Sequence, residues 1–189
     1  MFVDVHVLQT VPPSCINRDD TGSPKTAVYG GVTRARVSSQ SWKHAVREYF
    51  SKKFPSDQSG YRTKKILDLV QEEIAKLAAD KDAEKLARTA LENAGLKLKK
   101  KKGEDEEGRD VEALFFISEA QIKALAQLAV TDEADKKKYK EALKTQPSVD
   151  MALFGRMVAS DPSLNFDACC QVAHAISTHA VHPEYDYFT

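Results

Sequence analysis

Between Phe2 and Gln9 apolar and polar residues alternate, with Val3, Val5 and Val7 on one face and Asp4 and His6 on the other, which predicts a half-buried strand. Val11 to Lys25 is rich in Pro, Ser, Asn, Asp and Gly and predicts a long exposed loop. From Val28 to Val37 a β-branched run containing Gly30-Gly31 predicts a second strand, the glycine pair permitting a bulge or a close backbone approach. The hydroxyls of Ser38-Ser39-Gln40-Ser41 are suited to cap a helix that continues to about Lys53 and stops before Pro55. Along that helix Trp42, Ala45, Val46, Tyr49 and Phe50 form one apolar stripe, expected to pack on the sheet. Gln40, Lys43, His44 and Arg47 gather on the opposite side.

Beyond Gly60 the period lengthens. Ile66, Leu67, Val70, Ile74 and Leu77 keep helical spacing, and a second helical pattern runs from about Ala83 to Leu96. Residues 97–108 are a block of lysines followed by a block of acids, the composition of a solvated loop. Val111 to Ile117 fits either a short strand or more helix. Ser118-Glu119-Ala120-Gln121 matches a capping box and opens a helix with Ile122, Leu125 and Leu128 inward. A further helix is expected from Asp132 to about Lys144, ahead of Pro147. The alternation from Ala168 to Val181 predicts a return to strand. The order β, loop, β, α, helical insertion, β is an α+β pattern. It divides into an N-terminal part (1–58), a helical insertion (59–146) and a return to the first layer (147–189).

Composition narrows the functional classes. Lys plus Arg and Asp plus Glu both number 28, so net charge gives no argument for a polyanionic partner, and any such argument must be local. The cysteines, Cys15, Cys169 and Cys170, are odd in number and the last two adjacent, which suits neither a disulfide framework nor a CxxC metal site and fits a reducing cytoplasm. The N-terminus lacks the basic and apolar regions of a signal peptide, and no run approaches a membrane span.

The local argument lies between Asn17 and Arg47. Phosphodiesters are bound by guanidinium and ammonium groups, hydroxyl and amide donors and helix N-termini. Arg18 and Lys25 occupy the loop, Arg34 and Arg36 share one strand face, Ser38, Ser39 and Gln40 surround the helix start, and Lys43 and Arg47 lie four apart. Taken alone, the helix reads more readily as a solvated face with ordinary caps. The cations of the loop and strand shift the balance toward RNA-backbone binding.

Pro13-Ser14-Cys15-Ile16-Asn17-Arg18-Asp19-Asp20, Gly30-Gly31-Val32-Thr33-Arg34-Ala35-Arg36 and Ser38-Ser39-Gln40-Ser41-Trp42-Lys43-His44-Ala45-Val46-Arg47, in this order, closely resemble the CasC-type filament subunit of a type I-E CRISPR Cascade complex. Val149 to Met157, Ala173 to His179 and Asp186 to Thr189 match as well, whereas the helical middle matches only in character. The resemblance implies an RNA-recognition-like, ferredoxin-like palm, incomplete in this chain, with a mainly helical fingers insertion and a thumb beyond Thr189. It implies copies polymerised along a guide RNA, with most bases left free to pair with invading target DNA, and other Cascade subunits as further partners. Carried over by position, Arg18, Lys25, Ser38, Gln40, Lys43 and Arg47 are expected guide contacts, and Met157 a wedge against a base beside a displaced nucleotide. His44, where the family often has arginine, would donate to phosphate while neutral. Without the family, Met157 reads equally well as core packing with Leu153 and Phe154.

Lys136, Lys137, Lys138, Lys140 and Lys144 are candidates to attract target DNA, and equally a solvated helix face. Asp19 and Asp20 could in principle hold a metal for RNA cleavage, but beside Arg18 and before Gly22 a loop-shaping role suits them better. His174, His179 and His182 match no zinc pattern. The aromatic strand of a stand-alone RNA-recognition domain is absent. The expectation is a subunit without catalysis, metal or cofactor. Because the chain stops before the rest of the palm, its last strand is also expected to lack sheet partners, leaving the chain poorly stable alone.

Overall fold

The computed structural model describes residues 1–55, 58–100 and 107–184. It is a mixed α+β structure with short antiparallel sheets and, among the described residues, six α-helices. Two compact units divide the chain: residues 47–171, and residues 1–46 together with 172–189.

The larger unit holds the core. Its helices are α2 (Ile66–Leu77), α3 (Ala83–Ala94), α4 (Glu119–Val130), α5 (Lys136–Ala142) and α6 (Val149–Phe154), preceded by the C-terminal half of α1 (Ser39–Lys53). Ile66, Leu67, Val70 and Ile74 of α2 are fully buried against Ala87, Ala90 and Leu91 of α3 and Leu125 and Ala126 of α4, so the helical periodicity found its partner faces. Local chemistry sets the boundaries. Asp82 caps α3 through Lys85 N–H, and Gly95, with φ of 82°, ends it in the left-handed conformation. Ser118 and Gln121 form the expected reciprocal capping box at the start of α4.

The insertion is less purely helical than expected. β3 (Gly60–Thr63) pairs antiparallel with β6 (Phe115–Ser118), and β4 (Leu98–Lys100) with β5 (Glu107–Val111). The charged segment 97–108 is thus partly a hairpin, and its residues 101–106 lie outside the described residues, as do 186–189 of the last motif. β3 escaped detection because Gly60-Tyr61-Arg62-Thr63 carries no alternating apolar face. α5 begins at Lys136 rather than near Asp132, which takes a positive φ of 52° and closes the preceding helix.

In the smaller unit β1 (Thr26–Tyr29) and β2 (Val32–Val37) form a hairpin, and β2 pairs on its other side with the short β7 (Ala175–Ile176). The single strand expected over 28–37 is therefore two. Gly30 and Gly31 have φ of 65° and 77°, the two positive values that a tight hairpin turn requires, so the glycine pair reverses the chain instead of bulging it.

Three further expectations fail for one reason. Residues 2–9 form no strand, and Val3, Val5 and Val7 are 73%, 80% and 78% exposed. The strand expected over 168–181 is reduced to β7. The apolar stripe of α1 is not packed away either: α1 has no buried residue, and Tyr49 is 59% exposed. Alternation and stripes state which face a segment would bury, not whether a partner is there to cover it. Among the described residues none pairs with 2–9.

Candidate nucleic-acid interface

In the smaller unit the loop, hairpin and helix start are tied together by backbone hydrogen bonds. Lys25 N–H donates to Asn17 O at 2.9 Å, and Arg36 N–H donates to Lys25 O at 2.9 Å. Arg18 forms a bridge with Pro24, and its guanidinium donates to Gly22 O at 2.6 Å. Asp19 Oδ1 accepts from Thr21 N–H at 2.9 Å, Thr21 hydroxyl at 2.7 Å and Ser23 N–H at 2.9 Å, an arrangement in which a short polar side chain organises its own turn. The Thr21 hydroxyl, followed by the backbone donors and the nearby Lys25 charge, holds the Asp19 carboxyl below its usual range. Neighbouring Asp20 is exposed. Among the described residues no group of three or more His, Cys, Asp or Glu side chains has the geometry of a metal site.

The N-terminus of α1 is filled from three directions. Ser38 N–H donates to Asn17 Oδ1 at 3.0 Å, the Ser38 hydroxyl accepts from Ser41 N–H at 3.3 Å, and Ser39 N–H donates to His174 Nδ1 at 3.1 Å. These bonds satisfy donors that a helix start leaves open. Ser38 is buried as the helix cap, and Gln40 is exposed on the first turn. Lys43 is partly exposed and His44 exposed on the same helix. Asn17 and His174, which hold this junction, were not among the expected contacts. The Asx preference for free N–H groups was the available signal for Asn17; for His174 only the fold brings it to Ser39.

Arg34 and Arg36 do not form a free basic strand face. Arg34 donates to Tyr29 O at 3.0 Å and Ser177 O at 2.9 Å, which staples the hairpin to the β7 segment. Arg36 Nε is buried without a hydrogen-bond partner among the described residues.

In the larger unit, Arg47 places its guanidinium over the rings of Phe154 at 5.0 Å and Phe116 at 5.6 Å. Burial pulls its pKa down against the opposing attraction of Asp150. The side chain is thus engaged by aromatic faces, which the helical wheel could not foresee. Met157 is 84% exposed, so the core-packing alternative does not describe it. A recess of about 290 Å³ beside it is lined by Phe154, Gly155, Asn165 and Phe166 among others.

The lysines of α5 and of the residues just beyond it divide. Lys136, Lys137 and Lys144 are exposed, Lys138 is ion-paired with Glu133, and Lys140 Nζ contacts Asp161 Oδ2 at 2.9 Å. Lys136 to Lys138 sit in the first turn of α5, where the helix dipole disfavours cations, so helix stability does not explain them.

Comparison with known proteins completes the picture. The family model described as CT1975-like protein matches residues 3–189. A solved chain from a CRISPR RNA-guided surveillance complex is 36% identical, with a TM-score of 0.67 and coverage of 91% of this chain and 57% of that one. A second, from a CRISPR RNA-guided surveillance complex in a pre-nicking state, is 35% identical, with a TM-score of 0.57 and coverage of 88% of this chain and 50% of that one. The chain thus spans little more than half the length of the solved chains it matches. No curated protein matches it significantly. On the family match, the chain belongs to the CT1975-like protein family, and it is similar in structure to chains of CRISPR RNA-guided surveillance complexes.

Proposed function

We propose that this chain grips the sugar-phosphate backbone of a CRISPR guide RNA as a repeated, non-catalytic subunit of a type I-E-like surveillance filament in the cytoplasm. Its smaller unit belongs to an RNA-recognition-like, ferredoxin-like palm, and residues 59–146 to the fingers. Neighbouring copies and other Cascade subunits are its protein partners, and target DNA is met through the guide.

The observation that supports this best is the bond from Ser38 N–H to Asn17 Oδ1, which ties the loop carrying Arg18 and Lys25 to the helix start that carries Gln40, Lys43 and His44. Cations, amide and imidazole donors so arranged suit a phosphate path, because phosphate contacts fix position without reading sequence while base pairing supplies specificity. Ser38 contributes as the cap that shapes the site. Met157, largely exposed to solvent, serves as the wedge against a base, a use that suits a flexible apolar side chain. The exposed lysines Lys136 and Lys137 of α5 and Lys144 just beyond it are the stronger candidates for target-DNA attraction, since Lys138 and Lys140 already face carboxylates. Asp19 is occupied as a turn organiser, which favours the non-catalytic reading over metal-dependent cleavage by Asp19 and Asp20.

Lys43→Ala tests the grip. It should weaken binding to single-stranded RNAs of unrelated sequence alike and lower the slope of log affinity against log salt by about 1. Sequence-selective loss would mean that the helix reads bases, and would overturn the proposal. For catalysis, magnesium-dependent RNA cleavage that disappears in Asp19→Ala or Asp20→Ala would replace the non-catalytic reading.

A further inference from the structure

Arg156 precedes the exposed Met157 and is itself only 5% exposed. Its guanidinium donates to Leu164 O at 2.9 and 2.7 Å, Phe116 O at 3.0 Å, Leu143 O at 2.7 Å and Gln121 Oε1 at 3.3 Å. The rings of Phe115 and Phe166 each lie 4.7 Å from its central carbon. No carboxylate is among these partners: the cation is held by carbonyl dipoles, an amide oxygen and two aromatic faces. A buried charge without a counter-ion is costly, and burial pushes its pKa down to about 10, so it remains protonated at neutral pH. A core needing only volume would be served better by an apolar side chain.

The backbone around it explains what the cation holds. Arg156 N–H donates to Phe166 O at 3.1 Å and Phe166 N–H donates to Arg156 O at 2.8 Å. Two residues on, Val158 is buried and its N–H donates to Asn165 Oδ1 at 2.6 Å. In extended chain, side chains alternate between faces. With Arg156 and Val158 both inward, Met157 faces out. Gly155, with φ of 76°, turns the chain into this segment from α6, and a Cβ there would lie 2.8 Å from Phe166 O.

We propose that Arg156 is a positioning residue for Met157: together with Asn165 it locks the 155–166 loop so that the Met157 side chain stands clear of the protein to meet a nucleobase of single-stranded RNA. This rests on the wedge role given to Met157 above. Lysine cannot take Arg156's place, because one ammonium on a flexible stem does not span four acceptors in the fork geometry of a guanidinium.

The test uses the full chain assembled at saturation on a guide-length RNA carrying 2-aminopurine at successive positions, a base that brightens when unstacked. Wild type should brighten particular positions. Met157→Ala and Arg156→Lys should both lose that brightening, whereas Leu91→Ala, which weakens the core of the same unit, should keep it. Loss in Met157→Ala with full brightening in Arg156→Lys overturns the positioning role and leaves the wedge standing. Full brightening in Met157→Ala overturns the wedge and this inference with it. Loss in Leu91→Ala shows that general destabilisation suffices, and overturns the inference as well. If a thermal melt shows that Arg156→Lys does not fold, Asn165→Ala takes its place: loss of brightening supports the locked loop, and full brightening overturns it.

Discussion

Two arginines of the larger unit, Arg47 and Arg156, show how much a cation's surroundings decide its work. Arg156 is enclosed by carbonyls and rings, and Arg47 lies over Phe154 and Phe116 with Nε buried and unpartnered among the described residues. Arg47 therefore contributes packing before it contributes any phosphate contact. Arg47→Ala should lower the unfolding free energy of the larger unit by about 1–3 kcal/mol, from lost cation–π contact and lost volume. A urea melt unchanged from wild type would return Arg47 to the solvent-facing basic surface that its helical position suggests. Arg18, Lys25, Gln40 and Lys43 were legible as candidates from residue type and spacing alone. That Ser38 is a buried cap, and that Arg34 staples the hairpin to the β7 segment, was not, because both depend on partners distant in sequence.

Among the elements, those delimited by local chemistry were the most readable. α2, α3 and α4 lie where periodicity and caps put them. The Ser118 hydroxyl both accepts from Gln121 N–H and donates to Gln146 O, so Ser118→Ala should cost about 1–2 kcal/mol, read by chemical denaturation. A near-neutral result would mean that the capping box is redundant. The turn of residues 161–165 is sensitive to acid. Asp161 is held down to about 2, first by the Ser163 hydroxyl and then by Lys140. A lowered folded pKa means that the carboxylate's contribution is complete above its ordinary value of 3.8 and is lost as pH falls through about 2. Amide exchange at Ser163 and Leu164 should accordingly stay slow at pH 4 and, after correction for intrinsic rates, quicken toward pH 2, an effect absent in Asp161→Asn. The absence of the strand expected over 2–9 and the shortening of the one expected over 168–181 to β7 had no comparable local signal.

Across the whole molecule, burial is uneven. Every buried apolar side chain among the described residues belongs to the span from Ile66 to Leu164, in the larger unit, and the one buried residue of the smaller unit is Ser38. Hydrophobic burial dominates stability, so the two units should open at different free energies. Hydrogen exchange of the isolated chain should show slow amides in α2, α3 and α4 and fast ones throughout 1–16 and 172–184; on the proposed function, protection of the hairpin should rise when RNA is added. Uniformly slow exchange in both units would contradict this. Sequence by itself determined the α+β character, the helical core, its caps and the loop–strand–helix order that resembles the family, because these follow from local periodicity and short-range hydrogen bonding. Only tertiary structure decided that Gly30-Gly31 turns a hairpin, that the valines of 2–9 stay uncovered, that His174 meets Ser39 and that Arg156 holds the loop presenting Met157. Each of these depends on which distant surface arrives to pair with, cover or bond a segment, and no stretch of sequence contains its own partner.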